Sequence, residues 1–348
     1  MVYSAAFKVV SDRNERRRML LMAAKIGTLM LEIQERIQRP ILNSLIPTIF
    51  HEPWWLDIVT GGNYAAAEIS DNGSMVGKLY YFLRKRGGMS YSIMPPMTHF
   101  LGPAIIDDGG NPSTRFLRRA KITHELIRKL PPASIYQYKC HREITDSIAF
   151  QQEKFDTAAQ FTYEIFPDAE EVLWKNMRGE KRKKIRSAEK ILTVSTILEP
   201  MEFWRFYDSN LQKKNIKNVC DKDICSRLIE GCLSRDRGRF YVAYDKNNNI
   251  VAAVFCVWDE TSSFYFMSSR TADAHNGAIS LLAWEAMKDA AGRGLIFDFD
   301  GLNNSASVLF FTEFGGIISP RFIVTRQTPC GRVALGIKNM QRENRYFY

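Results

Sequence analysis

Residues 240–257, FYVAYDKNNNIVAAVFCV, decide the fold, because residues 65–82, AAAEISDNGSMVGKLYYF, repeat them earlier in the chain. Both read as hairpins around a polar turn, Asn247-Asn248-Asn249 in one and Asp71-Asn72-Gly73 in the other. The match continues outward. A third apolar segment follows each hairpin (Ser90–Met94 and Ser263–Met267), then a helix (Phe116–Leu130 and Ala278–Arg293). Next come short aromatic strands, Ile135-Tyr136-Gln137-Tyr138 and Ile296-Phe297-Asp298-Phe299. A second helix carries Ile148…Phe150…Phe155 or Val308…Phe310…Phe314, and a last strand closes each unit at Phe161–Phe166 or Phe322–Thr325. Two copies of β-β-β-α-β-α-β, roughly 160–175 residues apart, predict a duplicated α/β (α+β) fold.

Bulk properties agree with two cores. The chain has 348 residues, 45% of them hydrophobic and 12% aromatic, which excludes a disordered protein. Its 48 Lys+Arg against 38 Asp+Glu give a net charge of +10, which favours anionic partners such as nucleotides, phosphorylated sugars, tRNA or an anionic membrane face. Six cysteines are scattered without a CxxC pair; Cys220, Cys225 and Cys232 have four and six residues between them and no nearby histidine. They read as reduced structural thiols in a cytoplasmic protein, and no metal site is expected.

Four regions follow: a helical lead (1–45), a first domain (46–166), a second domain (167–327) and a tail (328–348). In the lead, Arg16-Arg17-Arg18 precedes the apolar stretch Met19–Ile33, which Lys25 interrupts. It is too short and too charged to span a bilayer, and predicts an amphipathic helix packed on the first domain or resting on a membrane surface. The joint at Pro167-Asp168-Ala169-Glu170 should start a helix over Glu170–Lys190.

At this point the order of elements resembles the GNAT acyltransferase fold, and its duplication with a basic helix between the halves resembles the FemAB-like branch. The residues that carry the likeness are Leu173-Trp174-Lys175-Asn176-Met177 with Lys181–Lys190, Phe203-Trp204-Arg205-Phe206-Tyr207, and Ala283-Trp284-Glu285-Ala286-Met287-Lys288 with Phe297-Asp298-Phe299-Asp300-Gly301. Trp54-Trp55-Leu56-Asp57 and Pro95-Pro96-Met97-Thr98…Gly102-Pro103 are similar to openings in the polysaccharide-associated subgroup. The resemblance implies two tandem GNAT-like domains. It also implies transfer of an acyl group, with acyl-CoA the expected co-substrate, to an amine of a sugar or peptide in envelope or exopolysaccharide biosynthesis. The acceptor would be a small, nucleotide-linked or lipid-linked molecule, and DNA is not an expected partner.

GNAT enzymes hold the coenzyme A diphosphate on a glycine-rich loop at a helix N-terminus. The matching stretch here, Arg270 to Ala278, keeps Arg270, His275, Asn276 and Gly277 as donor contacts but lacks the full glycine pattern. Coenzyme A thioester, carrier-protein thioester and aminoacyl-tRNA therefore all stand as donors. With aminoacyl-tRNA the chain would modify a peptidoglycan precursor; a non-catalytic scaffold is the third reading.

For the chemistry, Asp298 and Asp300 are the base candidates. Two apart in a strand, they share a face at its C-terminal end, and like charges so close push one pKa up. The first domain carries Gln137 where the second has Asp298, so the second cleft is expected to be the active one. Between Lys175 and Lys190 lie eight basic residues; Lys181, Arg182 and Arg186 are the acceptor-phosphate candidates, with Arg178 on the arginine face. Trp55 and Thr98, with Trp54 and His99, are the residues expected to line the acceptor groove. No G-x-S-x-G, P-loop or zinc-metalloprotease pattern occurs.

Overall fold

The two repeats close each other. In each, the short aromatic strand is completed by the last strand of the opposite half, so the halves interlock in one sheet. A computed structural model describes residues 44–332 apart from Asp108 and Asn303. The expected lead helix and the tail beyond Arg332 lie outside the described residues.

The first half comprises α1 (Pro53–Thr60), β1 (Ala65–Asp71), β2 (Ser74–Tyr81), β3 (Leu83–Arg86), β4 (Met89–Ser92), β5 (Ala104–Ile105), α2 (Pro112–Arg128), β6 (Ile135–Lys139), α3 (Ile148–Gln152) and β7 (Asp156–Ile165). The second runs through α4 (Glu170–Asn176), α5 (Gly179–Glu189), β8 (Thr193–Ser195), α6 (Pro200–Lys213), α7 (Lys222–Leu233), β9 (Gly238–Tyr244), β10 (Ile250–Trp258), β11 (Ser262–Arg270), α8 (Ala278–Gly292), β12 (Ile296–Asp298), α9 (Ser305–Thr312) and β13 (Ile317–Gln327). Among the described residues, ten strands form one sheet in the order β3-β4-β6-β13-β7-β12-β11-β10-β9-β8, and three form another, β1-β2-β5. No described helix is long and apolar enough to cross a membrane.

Local chemistry accounts for the boundaries. The β1–β2 turn places Asn72 and Gly73 at φ 50° and 80°, the left-handed pair that a two-residue hairpin needs. Asn111 caps α2 by accepting the Thr114 N–H, with Pro112 in the first helical turn. Asp221 caps α7 and Asn304 caps α9 in the same way. The expected single helix Glu170–Lys190 is two helices: Met177 is extended and buried, and the Arg178 N–H donates to the Glu313 carbonyl instead of continuing the helix.

The second half follows the predicted order from β9 to β13. The first departs from it. Its long hairpin strand bends at Phe82, whose N–H donates to Ser92 Oγ, and β3 leaves β2 to join the larger sheet. β5 then takes the edge of β2 that the third strand takes in the second half, pairing at Gly77 and Ile105. Gly77 also lets α2 lie against the strand, since a Cβ there would come within 2.5 Å of the Ile122 side chain.

The interlock is two-fold in register. Gln137 of β6 faces Thr325 of β13, and Asp298 of β12 faces Glu164 of β7. Between them β7 and β13 pair antiparallel over nine residues, from Ile317 opposite Glu164 to Thr325 opposite Asp156, with Arg321 opposite Gln160.

One face of this central ladder is charged and buried. Arg321 donates to Glu164 and to Asp298 Oδ2 (2.8 Å), Ser319 donates to Glu164 Oε2 (2.6 Å), and an Arg142 Nη2 lies 3.6 Å from Glu164. Burial would raise the Glu164 pKa, but Arg321 and Arg142 outweigh it and hold the carboxyl at about 2. Burial pushes Asp298 the other way, upward, with Arg321 opposing.

A carboxylate with a depressed folded-state pKa adds stability above its ordinary value and loses it as acid approaches the folded value. Glu164 alone should contribute about 3 kcal/mol at neutral pH, disappearing as pH falls from 4.5 to about 2. Arg321→Met strands two carboxylates and should cost about 3–5 kcal/mol at pH 7, with the deficit shrinking in acid. Urea unfolding of both proteins at pH 7 and pH 4 measures this, and equal stability at pH 7 would rule the cluster out as a structural element.

Candidate active site

The site starts at a bulge. Along β10 and β11 the pairing shifts, Phe255 opposite Met267 but Cys256 opposite Tyr265, so Phe266 is the extra residue. A bulge bends its strand and increases its twist. Parallel pairing of β11 with β12 accordingly ends at Phe264 and Asp298, while β11 runs on to Arg270. Beyond the bulge, no described strand pairs with that edge of β11. An extended ligand could add there, and backbone N–H groups on such an edge can hold a carbonyl oxygen.

His99 packs against the bulge. Its imidazole lies 4.7 Å from the Phe266 ring and 5.2 Å from Phe50, centroid to centroid. Its Nδ1 abuts Asp300 Oδ2, and Lys139 Nζ lies 2.8 Å from Asp300 Oδ1. The side chains are 22%, 9% and 17% exposed for His99, Asp300 and Lys139, so the trio is sheltered but reachable. Burial would raise the Asp300 pKa, yet His99 and Lys139 together hold it well below the usual carboxylate range. A carboxylate on Nδ1 fixes the proton there and leaves the Nε2 lone pair to act as a base. No described residue hydrogen-bonds Nε2.

The turn that delivers Asp300 is built from the seam. Asp300 is left-handed, φ 47°, and its N–H donates to Asp298 Oδ1 at 2.8 Å. The Gly301 N–H donates to Thr162 Oγ1 (3.2 Å), and Thr162 donates to the same Asp298 oxygen. Asp298 itself is 1% exposed. The two aspartates expected to share a strand face are thus close together, but only Asp300 reaches the sheltered trio.

The other predicted residues fall into two places. Trp55 Nε1 donates to Thr98 Oγ1 (3.2 Å); both are buried, and the Trp55 ring lies 5.4 Å from Phe266, forming the wall behind His99. Lys181, Arg182 and Arg186 lie instead on α5. Lys181 is fully buried, with Nζ 3.2 Å from Glu313, 3.3 Å from Ser280 Oγ and 3.7 Å from the Phe310 ring centroid. Burial lowers its pKa to about 8 against the pull of Glu313. Arg182 donates to the carbonyls of Trp174 and Lys175, and Arg186 lies 5.3 Å from the Trp174 ring.

The donor-loop residues lie beside α5. His275 Nδ1 accepts the Gly277 N–H (3.0 Å), which leaves Nε2–H to face Ser187 Oγ (3.1 Å). The Ala278 N–H donates to the His275 carbonyl. α5 comes so close that a Cβ on Gly277 would sit 2.2 Å from the Lys184 carbonyl oxygen. Arg270 and Asn276 are exposed. At the N-terminus of α8, where a diphosphate would be expected, the Gly277 and Ala278 N–H groups are therefore taken by His275.

Sequence reasoning missed Lys139, Arg142, Glu164 and Arg321. For Lys139 a signal existed: aligning the two aromatic strands sets it at the position of Asp300, 161 residues on. For the others none did, because each has its charged partners more than twenty residues away, and Arg321–Glu164 and Arg142–Ser262 join opposite halves.

The acetyltransferase (GNAT) domain family matches residues 175–305. No curated protein matches the sequence. Among solved structures, the fold is similar to FemX, at TM-score 0.57 and 11% identity over 78% of this chain and 90% of that one. It is also similar to the C-terminal domain (DUF2156) of a putative lysylphosphatidylglycerol synthetase from Agrobacterium fabrum, at TM-score 0.54 and 13% identity over 82% and 92%. This chain therefore has a GNAT-like fold in an architecture similar to that of FemX, with the match to the GNAT domain family falling on residues 175–305.

Proposed function

We propose that the chain is an acyltransferase that uses His99 as general base to activate an amine of a sugar or peptide. The observation that carries this is the carboxylate-fixed imidazole lying against the bulge where β11 parts from β12. The donor's acyl arm would lie along the unpaired edge of β11. The amine nitrogen attacks the acyl carbonyl, His99 Nε2 takes the proton, and backbone N–H groups of that edge hold the oxyanion. That attack forms the C–N bond; the intermediate then collapses, the bond to the donor's sulfur or oxygen breaks, and His99 returns the proton to that leaving atom. An envelope or exopolysaccharide acceptor is the setting that the sequence motifs suggest.

The donor divides two readings. A coenzyme A thioester needs a seat for its diphosphate, and at the N-terminus of α8 His275 already takes the Gly277 and Ala278 N–H groups while α5 packs close to Gly277. That favours an ester carried by tRNA, whose phosphates would meet the exposed Lys175, Arg178, Lys183, Arg186 and Lys190.

Three measurements test these readings. His99→Gln should lower kcat for acyl transfer by about 10²–10⁴-fold with little change in KM, the span of a lost general base; full activity would eliminate His99 as the base. Acetyl-CoA should leave the melting temperature unchanged, whereas a ligand at about 100 times its Kd would add roughly 2.7 kcal/mol. Aminoacyl-tRNA should bind with an affinity that falls steeply with salt. A clear shift with acetyl-CoA would restore the coenzyme A reading.

A further inference from the structure

We propose that Asp298 is a positioning residue: its carboxylate ends β12 and turns Asp300 onto His99, so that the tautomer of His99 is set from the seam between the halves. This rests on the reading of His99 as the base.

Asp298 is buried, 1% exposed, so a substrate does not reach its carboxylate. Its carboxylate is saturated instead. Oδ2 accepts from Arg321; Oδ1 accepts from Thr162 and from the Asp300 N–H. That last bond takes the N–H that would otherwise carry β12 onward as a strand. The chain then enters the left-handed conformation at Asp300, and the Thr162 hydroxyl secures the next N–H at Gly301. From this turn the Asp300 carboxylate reaches His99 Nδ1 with one oxygen and Lys139 with the other.

The first half supplies the internal control. Gln137 stands where Asp298 stands, and its amide donates to Thr325 of β13. There the strand does not stop. Tyr138 and Lys139 stay in register opposite Val324 and Ile323. A carboxamide at this position leaves the strand running, and a carboxylate saturated by Arg321 and Thr162 ends it.

The test is Asp298→Asn, which keeps the shape but has one acceptor oxygen, unable to serve both Arg321 and the Asp300 N–H. Nitrogen-15 spectra of the histidines, with the His99 signal assigned by its loss in His99→Gln, report the tautomer directly. The wild type should show His99 protonated at Nδ1. Asp298→Asn should show a mixture of both tautomers, with kcat at least tenfold lower and KM within about twofold. Thr162→Val, a smaller change to the same turn, should move the tautomer in the same direction and serves if Asp298→Asn does not fold. Folded variants that keep the wild-type tautomer overturn the proposal, even where activity falls. A shifted tautomer in a protein whose wild type transfers no acyl group sustains the positioning role and removes the reaction.

Discussion

The pairing of β7 with β13 is the constraint on which the rest depends. Each is the last strand of its own repeat, and each completes the other's sheet. Exchange gives each strand a partner on both sides, β12 along the end of β7 and β6 along the end of β13. It also fixes the register: one slip would move Glu164, Ser319 and Arg321 off their buried ionic face and pull Tyr163 out of the apolar core on the other. A buried ionic face makes that slip costly in a way an apolar face would not.

That charged face explains why the candidate site lies where it does. Glu164 and Asp298 are buried carboxylates, which persist only with Arg321 and Arg142 beside them. Having Arg321 on one oxygen, Asp298 has the other left for the turn at Asp300. The trio beyond it takes His99 and Lys139 from the first half and Asp300 from the second. The catalytic chemistry proposed here therefore belongs to the interlocked pair rather than to the GNAT domain alone, whose match ends at residue 305 and does not include His99, Lys139 or β13.

Duplication has been broken selectively. Lys139 and Asp300 occupy equivalent positions with opposite charge, and they meet as an ion pair at 2.8 Å. Symmetry placed the two positions near a common axis; divergence gave them complementary charges. The second half kept the bulged strand and the parted β11–β12 edge. In the first, the long hairpin strand bent at Phe82 and a separate small sheet formed on Gly77. The linker helix α5 packs close to the N-terminus of α8, with Lys181 as its buried anchor against Glu313 and two phenylalanine rings.

By itself the sequence determined the local grammar. The Asn72-Gly73 and Asn247–Asn249 turns and the repeat of apolar periods are short-range signals, and they specify a duplicated α/β chain whose second half keeps the expected order from β9 to β13. The same short-range reading put Asp298 and Asp300 in one strand, whereas β12 ends at Asp298 and Asp300 lies in a left-handed turn, and it collected the basic run from Lys175 to Lys190. What it could not decide is which strand closes which sheet, because exchanged and unexchanged strands carry the same apolar pattern. Burial was equally illegible: Lys181 and Arg186 read alike as helix cations, yet Glu313 and the Phe310 ring draw one into the core and leave the other on the surface. Only the tertiary structure brought His99, Lys139 and Asp300 together, since each contact spans the two halves and the energy that holds it comes from partners more than a hundred residues away.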